Sequence, residues 1–290
     1  MATVYEIITD KIIQQLETGY IPWLMPWKPA DAPHNIRGTR YTGINTMLLE
    51  YEKHVKNYTS NTWMTFNQVK EFGGDVTGQK STLVIYAAAY GLKNPDGTPK
   101  VNSKGKQETG FSIRYYNVFN TDQVKNFIPP ARETLVALDP IEAADQVINR
   151  MPDKPAVKHG GDRAYYSPTL DYVQMPARET FKTPELYYTT LFHELGHSTG
   201  HENRLDRFSK SHDHSFGSQD YSKEELTAEM TAAFIMGETG IETTDTERNT
   251  AAYIQHWIAA LQNDKNMLVS AASAAQKAAD FILDKHAPAE

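Results

Sequence analysis

The feature that most constrains the fold of this chain is an HExxH pattern, which runs from His193 to His197. Residues four apart lie just over one turn apart on an α-helix, so the two imidazoles project from the same face. Two histidines in that arrangement can bind one metal ion, and Glu194 beside them can act as a general base on a water molecule. The pattern therefore predicts a helix at a metal site. The alternative is a helix whose two histidines lie on a solvated face.

The sequence around this pattern fits a helix that follows strands. Thr183-Pro184-Glu185 is typical of a helix start, with an N-cap, a first-turn proline and an early acidic residue, and Gly200 is suited to end the helix. Upstream, the aromatic and branched residues of 163–167 and 172–176 indicate short strands. An edge strand near an HExxH helix can hold an extended peptide through main-chain hydrogen bonds, as a metallopeptidase requires.

A catalytic zinc ion usually has three protein ligands, so one more ligand is expected outside this helix. The extended pattern HExxHxxGxxH is excluded because position 203 is Asn. One remaining source is the loop that carries His212 and His214, although a polar loop of this kind is more often solvated. The other source is a glutamate on a second helix, predicted over 222–234.

The second helix offers two glutamates. Ser222 and Glu225 form an S-x-x-E pattern, which predicts a capping box that holds Glu225 against the helix start. Glu229 lies one turn further in, beside an apolar run, where burial of a carboxylate is unfavourable unless a cation is near. We therefore predict Glu229 as the third ligand. Glu225 is the alternative ligand, or a partner of one histidine.

Composition favours a site built from histidine and carboxylate in a cytoplasmic protein. The 290 residues include no cysteine, which excludes disulfides and thiolate ligands. Zinc is the expected ion, with manganese or another divalent ion as the alternative. Because no apolar run approaches the length of a transmembrane helix and the N-terminus has no signal-peptide core, we expect no membrane contact.

Charge is divided unequally along the chain. Residues 1–130 contain 14 Lys and Arg against 11 Asp and Glu, whereas residues 131–290 contain 15 against 25. Any nucleic-acid contact is therefore expected in the first part, where exposed aromatic rings on which bases stack would have to supplement a small positive charge. We expect Trp63, Phe66 and Tyr86 in the core. The candidate contacts lie in Pro-rich or turn-like sequence and are Trp23, Trp27, Lys28, Arg37, Arg40 and Tyr41.

Helical and strand patterns give an α+β fold class in two parts. We predict helices over 3–18, 44–54 and 65–72, and then a hairpin with strands over 82–90 and 111–119. Asp139 and Pro140 start a further helix, and two more helices follow residue 246. The predicted boundaries are 1–128 for a small N-terminal α/β domain, 129–139 for a linker and 140–290 for a C-terminal domain with the HExxH helix.

A set of short sequence motifs, in a fixed order, spans nearly the whole chain. In the first part they are Gly19-Tyr20-Ile21-Pro22-Trp23, Tyr41-Thr42-Gly43-Ile44-Asn45, Trp63-Met64-Thr65-Phe66-Asn67-Gln68 and Tyr115-Tyr116-Asn117-Val118-Phe119-Asn120. In the second part they are HELGH at 193–197 and Glu224-Glu225-Leu226-Thr227-Ala228-Glu229. In this combination the chain resembles ArdC-type antirestriction proteins of plasmids and other mobile elements.

The resemblance implies an N-terminal domain that binds single-stranded DNA and a C-terminal domain with a zincin-like metallopeptidase fold. It also implies protection of incoming plasmid DNA from host restriction during conjugation. The metal ligands that it implies are His193, His197 and Glu229, with Glu194 as the catalytic acid and base.

Three functions of different class remain open. In the first, DNA binding localises a zinc-dependent peptidase that acts on an unidentified protein or peptide. In the second, a DNA-binding antirestriction protein carries a structural or vestigial metal site. In the third, a soluble metallopeptidase has an N-terminal domain that binds protein rather than DNA. For a hydrolase, Tyr253 and His256 are candidate donors to the developing oxyanion.

Overall fold

The secondary structure largely follows the predicted elements. The computed structural model describes residues 2–24, 31–101, 107–127, 138–210, 218–242 and 250–285. Within these ranges, no helix is both long and apolar enough to cross a membrane. The helices are α1 (Val4–Glu17), α2 (Ile44–Lys56), α3 (Phe66–Glu71), α4 (Pro140–Arg150), α5 (Pro184–Ser198), α6 (Gln219–Thr239), α7 (Ala251–Asn263) and α8 (Met267–Ile282). The strands are β1 (His34–Asn35), β2 (Thr62–Thr65), β3 (Thr82–Gly91), β4 (Thr109–Asn120), β5 (Ala156–His159), β6 (Tyr165–Ser167) and β7 (Tyr172–Met175).

The first sheet has the strand order β1-β2-β4-β3, which makes β3 an edge strand. β3 and β4 form the predicted antiparallel hairpin. The helix α2 lies against β3, and Asn45 near its start covers part of the strand edge. The Asn45 side-chain NH₂ donates to the carbonyl of Ile85 at 2.7 Å, and its oxygen accepts from the Ile85 N–H at 2.8 Å. These two bonds satisfy backbone groups that an edge strand would otherwise expose to solvent.

The aromatic residues of this sheet divide between core and surface. Trp63 is fully buried with Leu49, Val84 and Val118, as predicted. Phe66 and Tyr86 were predicted in the core, and both are exposed, by 49% and 44% of their surface. For Phe66 the reason is its place at the start of α3. Tyr86 is on the same face of β3 as the buried Val84, but it lies further along the hairpin, opposite the exposed Arg114.

The helix α1 packs against the C-terminal helices α7 and α8. A Thr3–Glu6 capping box starts α1, and its Ile8, Ile12 and Leu16 are fully buried. Thr9 Oγ1 donates to the backbone carbonyl of Lys265 at 2.8 Å. One apolar core therefore includes the first helix of the chain and its last two.

Trp23 also lies in this core, so its predicted exposure is wrong. The side chain is 1% exposed, and its ring packs edge-on against Trp257 with centroids 5.8 Å apart. Its indole N–H donates to the hydroxyl of Tyr253 at 3.0 Å. Tryptophan can be buried in turn-like sequence when, as here, the indole nitrogen has an acceptor.

The second sheet has the order β5-β7-β6, and α5 packs on it. As predicted, Thr183 caps α5 by accepting from the Leu186 N–H, and Pro184 occupies the first turn. Val173 and Met175 of β7 join Tyr188 and Phe192 of α5 in the core. The sheet therefore supports the helix that carries the HExxH residues.

The helix α6 begins earlier than predicted. Its N-cap is Ser218, whose hydroxyl accepts from the Tyr221 N–H at 3.1 Å, and the helix starts at Gln219. The predicted capping box of Ser222 and Glu225 is therefore wrong, because Ser222 is already inside the first turn. As a consequence Glu225 does not cap the helix, and its carboxylate faces α5.

Candidate metal centre

The two histidines of the HExxH pattern face each other on the buried side of α5. Their Nε2 atoms are 3.1 Å apart and their ring planes are nearly perpendicular, at 86°. The side chains are only 11% and 14% exposed. Four-residue spacing on a helix produces this pairing directly, and the assignment of His193 and His197 as metal ligands stays a prediction.

Glu225 of α6 completes a group of three potential ligands. Its carboxylate oxygens lie 3.6 Å from His193 Nε2 and 3.6 Å from His197 Nε2. One ligand atom from each residue lies within 4.8 Å of the other two. Two imidazoles and one carboxylate are a donor set typical of catalytic zinc, and the two converging nitrogens and the carboxylate can all be satisfied by one divalent cation. These residues fit a metal ion.

The structure brings Glu225, the alternative ligand of the sequence analysis, close to the histidines, and the choice of Glu229 stays a prediction. Glu229 is 8% exposed on α6, but among the described residues it is not part of the three-residue group. The alternative ligand, Glu225, takes that position. One premise of the prediction is wrong, because the capping box that was expected to hold Glu225 at the helix start does not form. The other alternative, the loop with His212 and His214, lies outside the described residues.

Glu224 holds the other side of His197. Its Oε1 is 3.3 Å from His197 Nδ1, and Arg207 donates to both of its oxygens, at 2.7 Å and 3.1 Å. Arg207 also donates to the carbonyl of Gly196 at 3.0 Å and to Thr199 Oγ1 at 2.6 Å. A carboxylate on the second nitrogen of a metal-binding histidine fixes the ring and its tautomer. Sequence analysis missed Glu224 and Arg207. The two adjacent glutamates that follow the HExxH pattern could have suggested that one binds the metal ion and the other orients a histidine.

The charges at the site support one another. Burial alone would raise the pKa of Glu225, but the hydrogen bond from His193 and the charges of His197 and His193 outweigh it and lower the pKa to about 2. Burial likewise opposes the ionised form of Glu224, yet its hydrogen bonds with His197 and Arg207 lower its pKa. Two ionised carboxylates therefore lie against the histidines, which favours a cation among them.

Glu194 and Tyr221 flank this group. Glu194 is 8% exposed, next to His193 in the sequence, and its charge acts on both His197 and Tyr221. The hydroxyl of Tyr221 hydrogen-bonds to Glu225. Burial, followed by the charge of Glu225, raises the pKa of Tyr221 to about 12, so the phenol is neutral and a proton donor at pH 7.

Tyr221 was not identified from the sequence, where Tyr253 and His256 were the candidate donors. Tyr253 instead accepts from Trp23, and His256 is exposed and packs against Trp257. Neither has a described contact with the metal-site histidines.

Arg204 joins the end of α5 to the second sheet. It forms a buried ion pair with Asp171, and its guanidinium also donates to the hydroxyl of Tyr166 at 3.0 Å. Its Nε donates to the carbonyl of Ser198 at 2.6 Å. The Arg204 hydrogen bond is also the main reason why the pKa of Asp171 is lowered. This pair fixes the turn that follows the second histidine.

The residues predicted to contact DNA occupy several environments. Arg37 is exposed and pairs with Glu71 at 3.3 Å. Arg40 pairs with Glu238 of α6 at 3.2 Å, and Tyr41 is half-buried beside it. Trp27 and Lys28 lie outside the described residues. The structure therefore brings together Arg40 and Tyr41 but places Arg37 and Trp23 elsewhere.

Comparison with solved structures and with family models shows which family this chain belongs to. The chain superposes on the metal-free crystal structure of the antirestriction protein ArdC from plasmid R388 with a TM-score of 0.75, at 33% identity over 97% of both chains. This chain belongs to the ArdC family of antirestriction proteins. The family model for the N-terminal domain of the anti-restriction factor ArdC matches residues 2–119, and a model of zincin-like metallopeptidases matches residues 142–274. The Mn(II)-bound R388 ArdC structure matches with a TM-score of 0.73, at 34% identity over 98% of both chains.

The chain is also similar to curated proteins of two kinds, an uncharacterised protein and DNA primases. An uncharacterised protein of Sinorhizobium fredii, y4eC, is 31% identical over 96% of this ArdC-family chain and 91% of its own length. The DNA primase TraC of Escherichia coli is 34% identical over 96% of this chain. The chain spans only 20% of that primase and 27% of a second TraC primase. An α+β fold with a zincin-like C-terminal part is thus established for this chain.

Proposed function

We propose that this ArdC-family chain is a metal-dependent hydrolase of the peptidase type whose N-terminal part binds single-stranded DNA. The observation that supports a hydrolase function is the convergence of His193, His197 and Glu225 beside Glu194 in a buried site. In this proposal the protein acts in the cytoplasm and protects incoming plasmid DNA from restriction during conjugation. The substrate is an unidentified protein or peptide.

His193, His197 and Glu225 would hold the ion, and Glu224 would orient His197. When bound, a divalent ion polarises a carbonyl group and makes water more acidic. Glu194 accepts the proton of the attacking water and delivers it to the leaving nitrogen. It suits this role because it is buried, adjoins His193 in the sequence and forms no ion pair with the histidines or Arg207 among the described residues. Tyr221, as a neutral phenol, donates a hydrogen bond to the developing oxyanion.

Zinc is the proposed ion, because two imidazoles and a carboxylate with room for water are the usual catalytic zinc ligands. The Mn(II)-bound R388 ArdC structure supports manganese as the alternative. The same N and O donors accept both ions, so availability in the cell decides between them.

Metal analysis of the purified full-length chain tests the ligand set. We expect about one equivalent of divalent ion in the unaltered protein and in a Glu202→Ala control, which changes an exposed residue near the site. Glu225→Ala should lose the ion, whereas Glu229→Ala should keep it. Loss with Glu229→Ala and retention with Glu225→Ala would overturn the ligand assignment in favour of Glu229. Circular dichroism of each variant verifies that the fold is intact.

A transfer experiment separates hydrolysis from DNA binding alone. A plasmid that encodes the protein and carries restriction sites is conjugated into a restricting recipient. We expect Glu194→Ala to retain the metal but lose most of the protection, because it removes the proton acceptor and leaves the ligands. Full protection by Glu194→Ala would favour the second candidate, a DNA-binding antirestriction protein with a structural or vestigial metal site.

Single-stranded DNA is the proposed partner on the basis of family membership and of the cations and aromatic rings of the first sheet. The full-length chain should bind single-stranded oligonucleotides more tightly than duplexes, and added salt should weaken this binding because phosphate contacts release counterions. Equal failure with both would favour the third candidate, a metallopeptidase whose N-terminal part binds protein.

A further inference from the structure

A cleft of about 480 Å³ lies where the two parts of the chain meet. Its walls are the loop before α2, the edge of strand β3 with its neighbour β4, and one face of α8. A cleft of this volume is in the range that binds small ligands or one unit of a polymer. It is remote in sequence from the HExxH residues, and the proposed hydrolysis does not use it.

Aromatic rings line one side of the cleft. Tyr86 is 44% exposed and packs edge-on against Tyr116, with ring centroids 5.7 Å apart. Tyr116 in turn hydrogen-bonds to Tyr41. The Tyr86 ring is therefore held from one side by its neighbours while much of its surface faces solvent. An exposed ring in that setting can stack on a planar base.

Two cations belong to the surroundings of this ring. Arg114 is directly opposite Tyr86 in the β3–β4 register and is exposed, and Lys277 lines the cleft from α8. Among the described residues neither has an acidic partner within 4 Å. Arg40 also lines the cleft and is paired with Glu238.

No carboxylate is present among the described residues that line the cleft, although the chain as a whole has a net charge of −7. A local cationic surface in an acidic protein favours an anionic ligand. A ring for stacking and cations near it together match the chemistry of a nucleotide. Because the ring needs a free base face, an unpaired strand fits and a duplex does not.

We propose that this cleft binds one unpaired nucleotide of a single DNA strand, with its base against Tyr86 and its phosphates near Arg114 and Lys277. This inference rests on the proposed binding of single-stranded DNA and specifies where it occurs. Because Lys277 belongs to α8, the site is shared between the N-terminal part and the zincin-like part. The surface is thus incomplete without the C-terminal helices.

Fluorescence anisotropy with a labelled 15-nucleotide single strand tests the assignment on the full-length chain. We expect Tyr86→Ala to weaken binding roughly 10-fold and Tyr86→Phe, which keeps the ring, to restore most of it. Arg114→Gln and Lys277→Gln should each weaken binding several-fold and reduce its dependence on salt. The matched control is Tyr115→Ala, an exposed tyrosine on the opposite face of the same hairpin, which should bind like the unaltered protein.

The outcomes separate this inference from the proposed function. Binding by the unaltered chain that is unaffected by Tyr86→Ala and Lys277→Gln would overturn the cleft assignment and leave DNA binding standing. No binding by the unaltered chain would overturn both. Competition by free deoxynucleoside monophosphate distinguishes the two sources of a nucleotide. Stronger competition by the monophosphate than by the unlabelled strand would overturn the strand assignment in favour of a free nucleotide.

Discussion

Glu224 and Glu225 are adjacent in sequence and contact different sides of the same histidine. Glu225 faces the Nε2 atoms of the histidine pair, whereas Glu224 accepts at the Nδ1 of His197 and is held by Arg207. Successive residues on a helix point about 100° apart, so two neighbours can reach two sides of one ring. At the scale of single residues, the proposed site is therefore a pair of carboxylates with separate tasks.

The positioning role of Glu224 predicts a loss of metal affinity without loss of a ligand. Glu224→Gln keeps the shape of the side chain but removes the charge that holds His197 and Arg207, so the affinity should fall about 10-fold. Titration against a chromophoric chelator measures the change, with Glu202→Gln as the control. Unchanged affinity in Glu224→Gln would mean that His197 is oriented by the helix alone.

Glu50 predicts a pH dependence of stability away from the metal site. Burial raises the pKa of Glu50 to about 7, despite the hydrogen bond from Asn61 and the nearby charge of Lys53. The folded state therefore favours the protonated form, and stability is lost as pH rises from the unfolded value of 4.5 through 7. Glu50→Gln has no such titration, so it should exceed the unaltered protein by about 1–3 kcal/mol at pH 8 and differ less at pH 5.

Urea unfolding of both proteins at the two pH values measures this difference. The control is Glu17→Gln, an exposed carboxylate on α1, which should follow the unaltered protein at both pH values. The same pH dependence with and without Glu50 would contradict the raised pKa.

At the scale of elements, the close contact of α5 and α6 brings the predicted ligands together. Gly196, inside the HExxH pattern, faces α6, where an added Cβ would lie 3.2 Å from Thr231 Cβ and 3.3 Å from Ala228 Cα. Both neighbours are buried and belong to a packed helix, so they have little room to move. The absence of a side chain at this position permits Glu225 to reach the histidines.

Gly196→Ala is therefore expected to separate the two helices. Overpacking at the contact should destabilise the protein by about 1–2 kcal/mol, even though alanine is the better helix former. It should also weaken metal binding, because Glu225 moves with α6. Thermal unfolding with and without metal measures both effects, and Lys223→Ala on the exposed side of α6 is the control. Equal stability and metal affinity in Gly196→Ala would show that α6 adjusts.

Local sequence signals predicted the helices well. They did not show which of two possible N-cap residues begins a helix. The start of α5 at Thr183 and Pro184 and the start of α4 at Asp139 and Pro140 followed from capping chemistry alone. For α6, two serines one turn apart, Ser218 and Ser222, both satisfy the N-cap preference. Packing of the whole helix decides between them, and a local pattern contains no information on that. The wrong expectation that Glu225 is held in a cap followed from this one ambiguity.

At the scale of the whole molecule, the apolar core crosses the domain boundary that was predicted near residues 128–140. Composition and charge change there, and the two family models match residues 2–119 and 142–274. The core does not follow the same division, since α1 packs with α7 and α8. Long-range contacts of this kind leave no local signal. The sequence of an amphipathic helix shows that one face is buried. It does not show which other helix covers that face.

The pairing of α1 with the last two helices has a consequence for biosynthesis. Thr9 and its partner Lys265 are 256 residues apart in sequence. At translation rates of roughly 5–20 residues per second, the apolar face of α1 waits for about 10 to 50 seconds before its partners leave the ribosome. During that interval the nascent chain exposes Ile8, Ile12 and Leu16, which makes it a substrate for chaperones and prone to aggregation. Native packing of α1 therefore depends on the synthesis of α7 and α8.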